Sequence, residues 1–240
     1  MLKWLPSSFV RVQVILPAVM IFGLVCAAAV RASGAQPWQS ASRLASDLVD
    51  RVLGIETARM VGHVDLEFGP EAGGGYVATP WPALVQLWRV LRGLSVSEED
   101  VFIDYGSGKG RALLVAALFP FKRVIGVELS SALNRIAAAN IRAARYHLRA
   151  EVDLVTVDAA SFMVVPDASV IYLYNPFKDD VFAAVVDRIL ASLATVPRTI
   201  TIIYTNPIMH DHLIARGFVM IRAIADTRVY TNADPDAGAA

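Results

Sequence analysis

Seven residues near the middle of the chain, Asp104-Tyr105-Gly106-Ser107-Gly108-Lys109-Gly110, have the types and spacing of a nucleotide-binding turn. They close a short apolar run at Val101–Tyr105 and lead directly into a helical stretch. Glycine at such a junction lets the backbone turn tightly and approach a ligand with no Cβ in the way. A Walker phosphate loop requires G-x-x-x-x-G-K-[ST], whereas the lysine here is followed by Gly110. A dinucleotide fingerprint requires G-x-G-x-x-G, and Arg111 stands where its last glycine belongs, which argues against a nucleotide-dependent oxidoreductase. What is left is D-x-G-x-G-x-G, with Glu128 at the end of the next apolar run, 24 positions after Asp104. A carboxylate there accepts hydrogen bonds from both hydroxyls of a ribose. Asp158 closes the third run, and Lys109 reads as a solvated residue of the first helical turn.

These side chains need a scaffold that brings successive run ends together. Runs suited to buried strands fall at Val101–Tyr105, Arg123–Val127, Val152–Val157, Val170–Tyr174 and Thr199–Tyr204. Helical stretches alternate with them near 110–119, 131–147, 178–194 and 207–215. That alternation predicts a parallel sheet with helices on both faces, whose ligands sit at the carboxyl ends of the strands. The last two runs, Phe218–Ile224 and Arg228–Tyr230, are separated only by Ala225-Asp226-Thr227 and predict an antiparallel hairpin at the sheet edge. The fold class is therefore α/β: a Rossmann-like, seven-stranded, mostly parallel sheet with a C-terminal antiparallel hairpin. Upstream, Leu44, Leu48 and Val52 at four-residue spacing predict an amphipathic helix over 43–54, with that stripe as its apolar face. A second helix is predicted over 81–93, with Pro82 in its first turn and Leu84, Leu87, Trp88 and Leu91 on one face. Residues 31–42 read as a linker, 62–75 as a loop and 232–240 as a frayed tail.

Composition narrows the function classes. Of 240 residues, 55% are hydrophobic and 18% charged, which excludes a disordered chain and is apolar for a soluble enzyme. The net charge of zero is a sum of opposites. Residues 1–35 hold Lys3, Arg11 and Arg31 and no acid, leaving 22 − 3 = 19 basic against 22 acidic residues in the remainder. No basic domain is present to grip nucleic acid. The single cysteine, Cys26, excludes an internal disulfide framework and a cysteine-based zinc site. His210 and His212, two apart on a helix, do not face one direction, and no metal is expected.

From Val12 to Val30 the chain runs nineteen residues without a charge. As a helix that run is ~28 Å long, about the thickness of a bilayer's hydrocarbon core. It predicts an N-terminal transmembrane helix, and the membrane as a partner through residues 12–30. Cleavage after the small residues Ser33-Gly34-Ala35 is the competing reading, although the run exceeds the ~7–15 residues usual for a signal peptide. A buried core helix is the third. The chain thus divides into a membrane segment (1–35), a linker with helices that cap the site (36–99), the α/β domain (100–231) and a tail (232–240).

The stretches FIDYGSGKGR (102–111), VIGVELS (124–130) and YNPF (174–177) resemble the class I S-adenosylmethionine-dependent methyltransferases. The likeness is closest to a bacterial group with a GSGKGR signature, distantly similar to the seven-strand lysine methyltransferases. LGIETA (53–58) and GYVATPWPAL (75–84) resemble the same group, so the likeness covers roughly residues 45–231. The resemblance implies S-adenosylmethionine as cofactor. It implies that Gly106, Ser107 and Gly108 let the methionine part lie against the backbone, that Asp104 meets its amino group, that Glu128 holds the ribose and that Asp158 accepts from the adenine amine. Tyr76 and Thr79 resemble a Y-x-P-[ST] segment that folds over the cofactor, with Ala78 in the proline's place. Asn175-Pro176-Phe177 resembles an [ND]-P-P-[FY] motif, one proline short, that positions a nucleophilic nitrogen.

The implied reaction is in-line methyl transfer to an amino group, of a protein lysine or a small molecule. Positioning and desolvation dominate such a transfer, and no nucleophile–base–orienter triad is needed; an ammonium acceptor must first lose a proton, and the sequence names no base for it. A membrane-associated module that binds the cofactor without catalysis is the alternative. Because S-adenosylmethionine is made in the cytoplasm, the domain is expected on the cytoplasmic side of a single-pass anchor. The flanking charges weakly favour the opposite orientation.

Overall fold

Five short apolar segments pair in parallel. They are β1 (Val101–Tyr105), β2 (Arg123–Glu128), β3 (Glu151–Thr156), β4 (Ala168–Tyr174) and β5 (Thr201–Thr205). In this computed structural model β6 (Val219–Ile224) and β7 (Thr227–Thr231) complete a seven-stranded sheet of order β3-β2-β1-β4-β5-β7-β6. Strand β7 lies antiparallel to both β5 and β6, as the short 225–227 connection predicts. The structure describes residues 38–59, 76, 78–144, 147–175, 177 and 179–233, with side chains of the first helix from Ser46 onward. The segment 12–30, the loop 62–75 and Pro176 lie outside the described residues. Among the described residues, no helix is long and apolar enough to cross a membrane.

The central strands are buried on both faces, which is why they read as apolar runs without alternation. On one face Phe102, Tyr172, Ile203 and Val229 pack beneath α1 (Trp38–Leu53), α2 (Trp81–Gly93) and α3 (Arg111–Ala116). On the other, Val101, Ile103, Tyr105 and Ile171 pack against α5 (Asp179–Thr195) and α6 (His210–Ala215). Helix α4 (Ser131–Ala143) follows β2 and starts on Ser130, whose hydroxyl accepts the amide of Leu133 at 3.2 Å. The edge strands differ from the centre: β3 is half-buried and β6 largely exposed. The strand order reverses between the neighbours β1 and β4, the switch point at which open α/β sheets form a ligand crevice.

Several expectations are corrected. Helix α1 starts at Trp38, inside the stretch read as linker. Among its described side chains Ser46, Val49, Asp50 and Leu53 are buried, while Leu48 and Val52 are 42% and 46% exposed, so these two residues of the predicted apolar stripe face outward. The cause is Asp50. Its carboxylate accepts Thr57 N at 2.5 Å, Ala58 N at 2.7 Å and Thr57 Oγ1 at 2.8 Å, and turning it inward carries Val49 and Leu53 with it. Helices α3 and α4 are shorter than their periodicity predicts, and α6 begins three residues late. The tail reading starts too early: Asn232 accepts Ile200 N at 2.7 Å and donates to Arg198 O at 2.9 Å, fastening the end of β7.

Candidate active site

Strand β1 delivers Asp104 to the crevice, and the chain then bends back over β2. The amides of Gly106 and Ser107 both donate to Val127 O, at 2.8 and 3.1 Å, and Gly110 N donates to Ser107 O at 2.9 Å. Two glycines are required here by space. A Cβ on Gly108, whose φ is +54°, would lie 2.5 Å from Cε2 of Tyr76. A Cβ on Gly126 of β2 would lie 2.8 Å from Ser107 Oγ and 2.6 Å from Leu113 Cδ1. Tyr76 therefore lies over the turn on one side, and Gly126 lets Ser107 tuck in on the other. Gly126 sits inside strand β2, and a glycine in such an Ile-Gly-Val setting marks a close backbone approach.

Glu128 ends β2 and is buried. One carboxylate oxygen accepts Gly108 N at 2.9 Å and the other Ser130 N at 2.9 Å. It thus joins the glycine turn to the start of α4, with lone pairs left for a ligand. Burial pushes its carboxyl above the ordinary range, and the backbone amides of Ser130 and Gly108 partly offset this. Asp104 is more strongly affected: burial, with the neighbouring Glu128 charge second, raises its pKa to about 8. Two acids on the tips of adjacent strands, one holding its proton at neutral pH, form a site that gains from a cation. The Ser107 hydroxyl is buried with no partner among the described residues. These features suit a ligand with a ribose, an ammonium and a sulfonium.

Strand β4 ends beside β1, with Leu173 paired to Tyr105. Asn175 follows in the left-handed region at φ +43°, and its side-chain oxygen is buried with no partner among the described residues. Phe177 packs edge-on against Tyr105, ring centroids 6.2 Å apart, while Tyr172 and Phe182 are core residues. Asp158 lies two residues beyond the end of β3, not at its close. It is exposed and caps a 3₁₀ turn (Ala159–Ser161), accepting Ala160 N at 2.9 Å. Val157 N donates to Glu128 O at 3.0 Å, which keeps that turn next to the Glu128 strand end. Of the predicted residues, Tyr76, Asp104, Gly106, Ser107, Gly108 and Glu128 converge on the β1–β2 end. Thr79 enters through its carbonyl, which accepts Arg111 Nη1 at 2.8 Å.

Lys109 overturns its reading as a solvated residue. It is 1% exposed, with Nζ 2.8 Å from Glu56 Oε1 and 2.6 Å from Arg59 O. Arg111 is buried too, donating to Thr57 Oγ1 at 2.5 Å and reaching Asp50 Oδ1 at 3.4 Å. Asp50, Glu56 and Thr57 were missed as site residues. For Glu56 and Thr57 the sequence signal was the LGIETA stretch, which carries no chemistry until it is placed against the turn; Asp50, inside the helix before it, gave none. His210 bonds Tyr230 and His212 packs on Phe182; among the described residues no cluster could hold a metal ion.

The family model for histone methylation protein DOT1 matches residues 83–202, half of the chain. The chain belongs to the DOT1 family. This is a family of S-adenosylmethionine-dependent methyltransferases, so the cofactor named on the sequence is the family's own. No curated protein matches the chain. Among solved structures, this DOT1-family chain is 22% identical to an RNA methyltransferase from Salinibacter ruber in complex with S-adenosyl-L-homocysteine, over 65% of this chain and 92% of that one, with a TM-score of 0.45. It is 12% identical to the N-methyltransferase NodS of Bradyrhizobium japonicum WM9, over 64% and 87% of the two chains, TM-score 0.47. It is 14% identical to magnesium protoporphyrin IX methyltransferase of Synechocystis PCC 6803, over 62% and 77%, TM-score 0.45.

Proposed function

We propose that the chain transfers a methyl group from S-adenosylmethionine to an amino group, with Asn175 positioning the acceptor. The observation that carries this reading is the Asn175 amide oxygen, buried and without a partner at the end of β4, next to the strand that supplies Asp104. An unpaired buried acceptor is costly until an N–H arrives to satisfy it, and an amine brings one. When bound, the cofactor supplies a methyl group already activated on a positively charged sulfur. The chain then has to orient and desolvate. Glu128 would hold the ribose while keeping Gly108 and Ser130 in place, and Asp104 would take the ammonium and give up its proton. Tyr76 would shut water out above the turn, Asn175 would point the acceptor nitrogen at the methyl carbon and Phe177 would wall the acceptor side. In-line geometry accounts for most of the rate gain in such a transfer.

The test is turnover of tritiated S-adenosylmethionine by the full chain on core histones and on free lysine derivatives, with hydrolysis to locate the label. Label on an amino nitrogen, lost in Asn175→Ala with S-adenosylhomocysteine binding intact, supports the reading. Label on oxygen or carbon sinks the amine assignment, and binding without any transfer favours the non-catalytic module.

The uncharged run at 12–30 supports a single membrane anchor, with the catalytic domain on the cytoplasmic side where the cofactor is made. Protease protection in sealed vesicles tests the side. A domain shielded outside the cytoplasm would overturn both the orientation and the cofactor supply.

A further inference from the structure

The turn that faces the cofactor has three residues at positive φ, Gly106 at 74°, Gly108 at 54° and Gly110 at 83°. Glycine visits such angles freely, so the turn has little preference of its own for the bent form. The sheet contributes only the two bonds to Val127 O and the Glu128 contact. A second set of contacts comes from outside the sheet. Asn140 of α4 donates to both Lys109 O and Glu56 O at 3.0 Å and accepts Glu56 N at 2.7 Å. The Lys109 ammonium sits 5.3 Å from the centre of the Tyr76 ring, and that ring covers Gly108. Asn140 thus holds the backbone of Lys109 beside that of Glu56, and the Lys109 side chain links Glu56 to the ring that covers the turn.

The pair is asymmetric. Lys109 is 1% exposed and Glu56 is 54% exposed. A fully buried ammonium is expensive unless it is paired, so the chain keeps this charge inside for a reason beyond solubility. A phosphate is not that reason, because Nζ is already held by a carboxylate and a carbonyl.

We propose that Glu56 and Lys109 are a positioning pair for the cofactor turn. Their contact clamps residues 56–59 and the Tyr76 ring onto Gly106–Gly110 and presets the backbone against which the methionine end of the cofactor lies. The inference rests on the cofactor reading above. It explains the lysine of the GSGKGR signature, which fastens the N-terminal layer to the turn and does not touch a phosphate. Arg111 fastens the same layer through partners of its own, Thr57, Thr79 and Asp50.

Glu56→Gln removes the charge at the exposed end and leaves the core side chains in place. The full chain in detergent, wild type and variant, is titrated calorimetrically with S-adenosylhomocysteine at a temperature where both are folded, and amide exchange is followed at 106–110 without ligand. The expected result is a dissociation constant raised about fivefold or more, with faster exchange at the turn. Glu56→Asp, which keeps the charge on a shorter arm, should recover part of the loss. A variant that melts earlier but binds like wild type has lost a merely structural contact, and the proposal is overturned. Unchanged binding with unchanged exchange overturns it as well. Glu128→Ala serves as the control. If wild type and Glu128→Ala bind equally, or wild type does not bind, the cofactor reading itself has failed and this pair falls with it. If only Glu128→Ala loses affinity, the pair alone is wrong.

Discussion

The end of β1–β2 and the end of β4–β5 lie side by side on one sheet, yet they are finished differently. At the first, Glu128 carries two backbone amides, Val127 O carries two more, and buried Lys109 and Arg111 tie the turn to residues 50–59 and 79. At the second, Asn175 holds a left-handed backbone and an amide oxygen with no partner, and Asn206 closes β5 at φ +53° with its amide on Asp226 O. The first end is braced through its backbone by many partners, with spare capacity at Ser107 and Glu128; at the second the Asn175 oxygen has no partner among the described residues. The difference teaches where a ligand's energy goes. A pre-set turn loses little order on binding, whereas an orphaned acceptor gains most when a substrate donor reaches it.

The contrast can be broken by substitution. The largest effect is expected at the braced end from Gly108→Ala. Its positive φ costs about 1–3 kcal/mol for a residue with a Cβ, and that Cβ would meet the Tyr76 ring. Calorimetry should find no binding of S-adenosylhomocysteine, and the melting point should fall. Next comes Glu128→Ala, which should weaken the same binding by about 1–3 kcal/mol. Asn175→Ala should instead leave that binding within about twofold while turnover falls on the order of a hundredfold. Equal effects of these two on binding would erase the distinction between the ends.

A pH titration sharpens it further. The Asp104 carboxyl titrates at about 8 in the folded chain against 3.8 ordinarily. The folded chain therefore holds a proton that the unfolded chain has lost over that window. Stability from this group is full below about pH 4 and lost as pH rises through 8. Thermal melts of the ligand-free chain should decline over that range, and Asp104→Asn should flatten the decline. Binding of S-adenosylhomocysteine should release a proton near pH 7, seen as a dependence of the heat on buffer ionisation. The smallest effect is expected far from both ends. Leu48→Gln should change stability by no more than about 0.5 kcal/mol in a urea melt, because that side chain faces outward.

Much of this was legible from local chemistry. Strands β1, β2 and β4 fall where apolar runs place them because a doubly covered sheet demands apolar residues on both faces. The turn was readable because glycines cluster where backbone must approach a ligand, and Glu128 because its position is set by the length of one helix and one strand. The α1 face was misread because four-residue apolar spacing says which residues share a face, not which face is buried. Asp50 decided that, through partners seven and sixty-one residues away. Lys109 was misread for the same reason. Its charge predicts water, and only a carboxylate 53 residues earlier in the chain makes burial tolerable.

The sequence by itself determined the sheet, its hairpin edge, the glycine turn after β1 and the acids Asp104 and Glu128 on β1 and β2, since each follows from periodicity and from spacing within one strand–helix unit. Only the tertiary structure decided which charges lie inside, which face of α1 is covered, that Asp158 caps a turn beyond β3, and that the N-terminal layer is locked to the glycine turn. Those outcomes depend on pairing between residues far apart in the chain. A buried charge is stable or ruinous according to the one partner that folding brings within 3 Å.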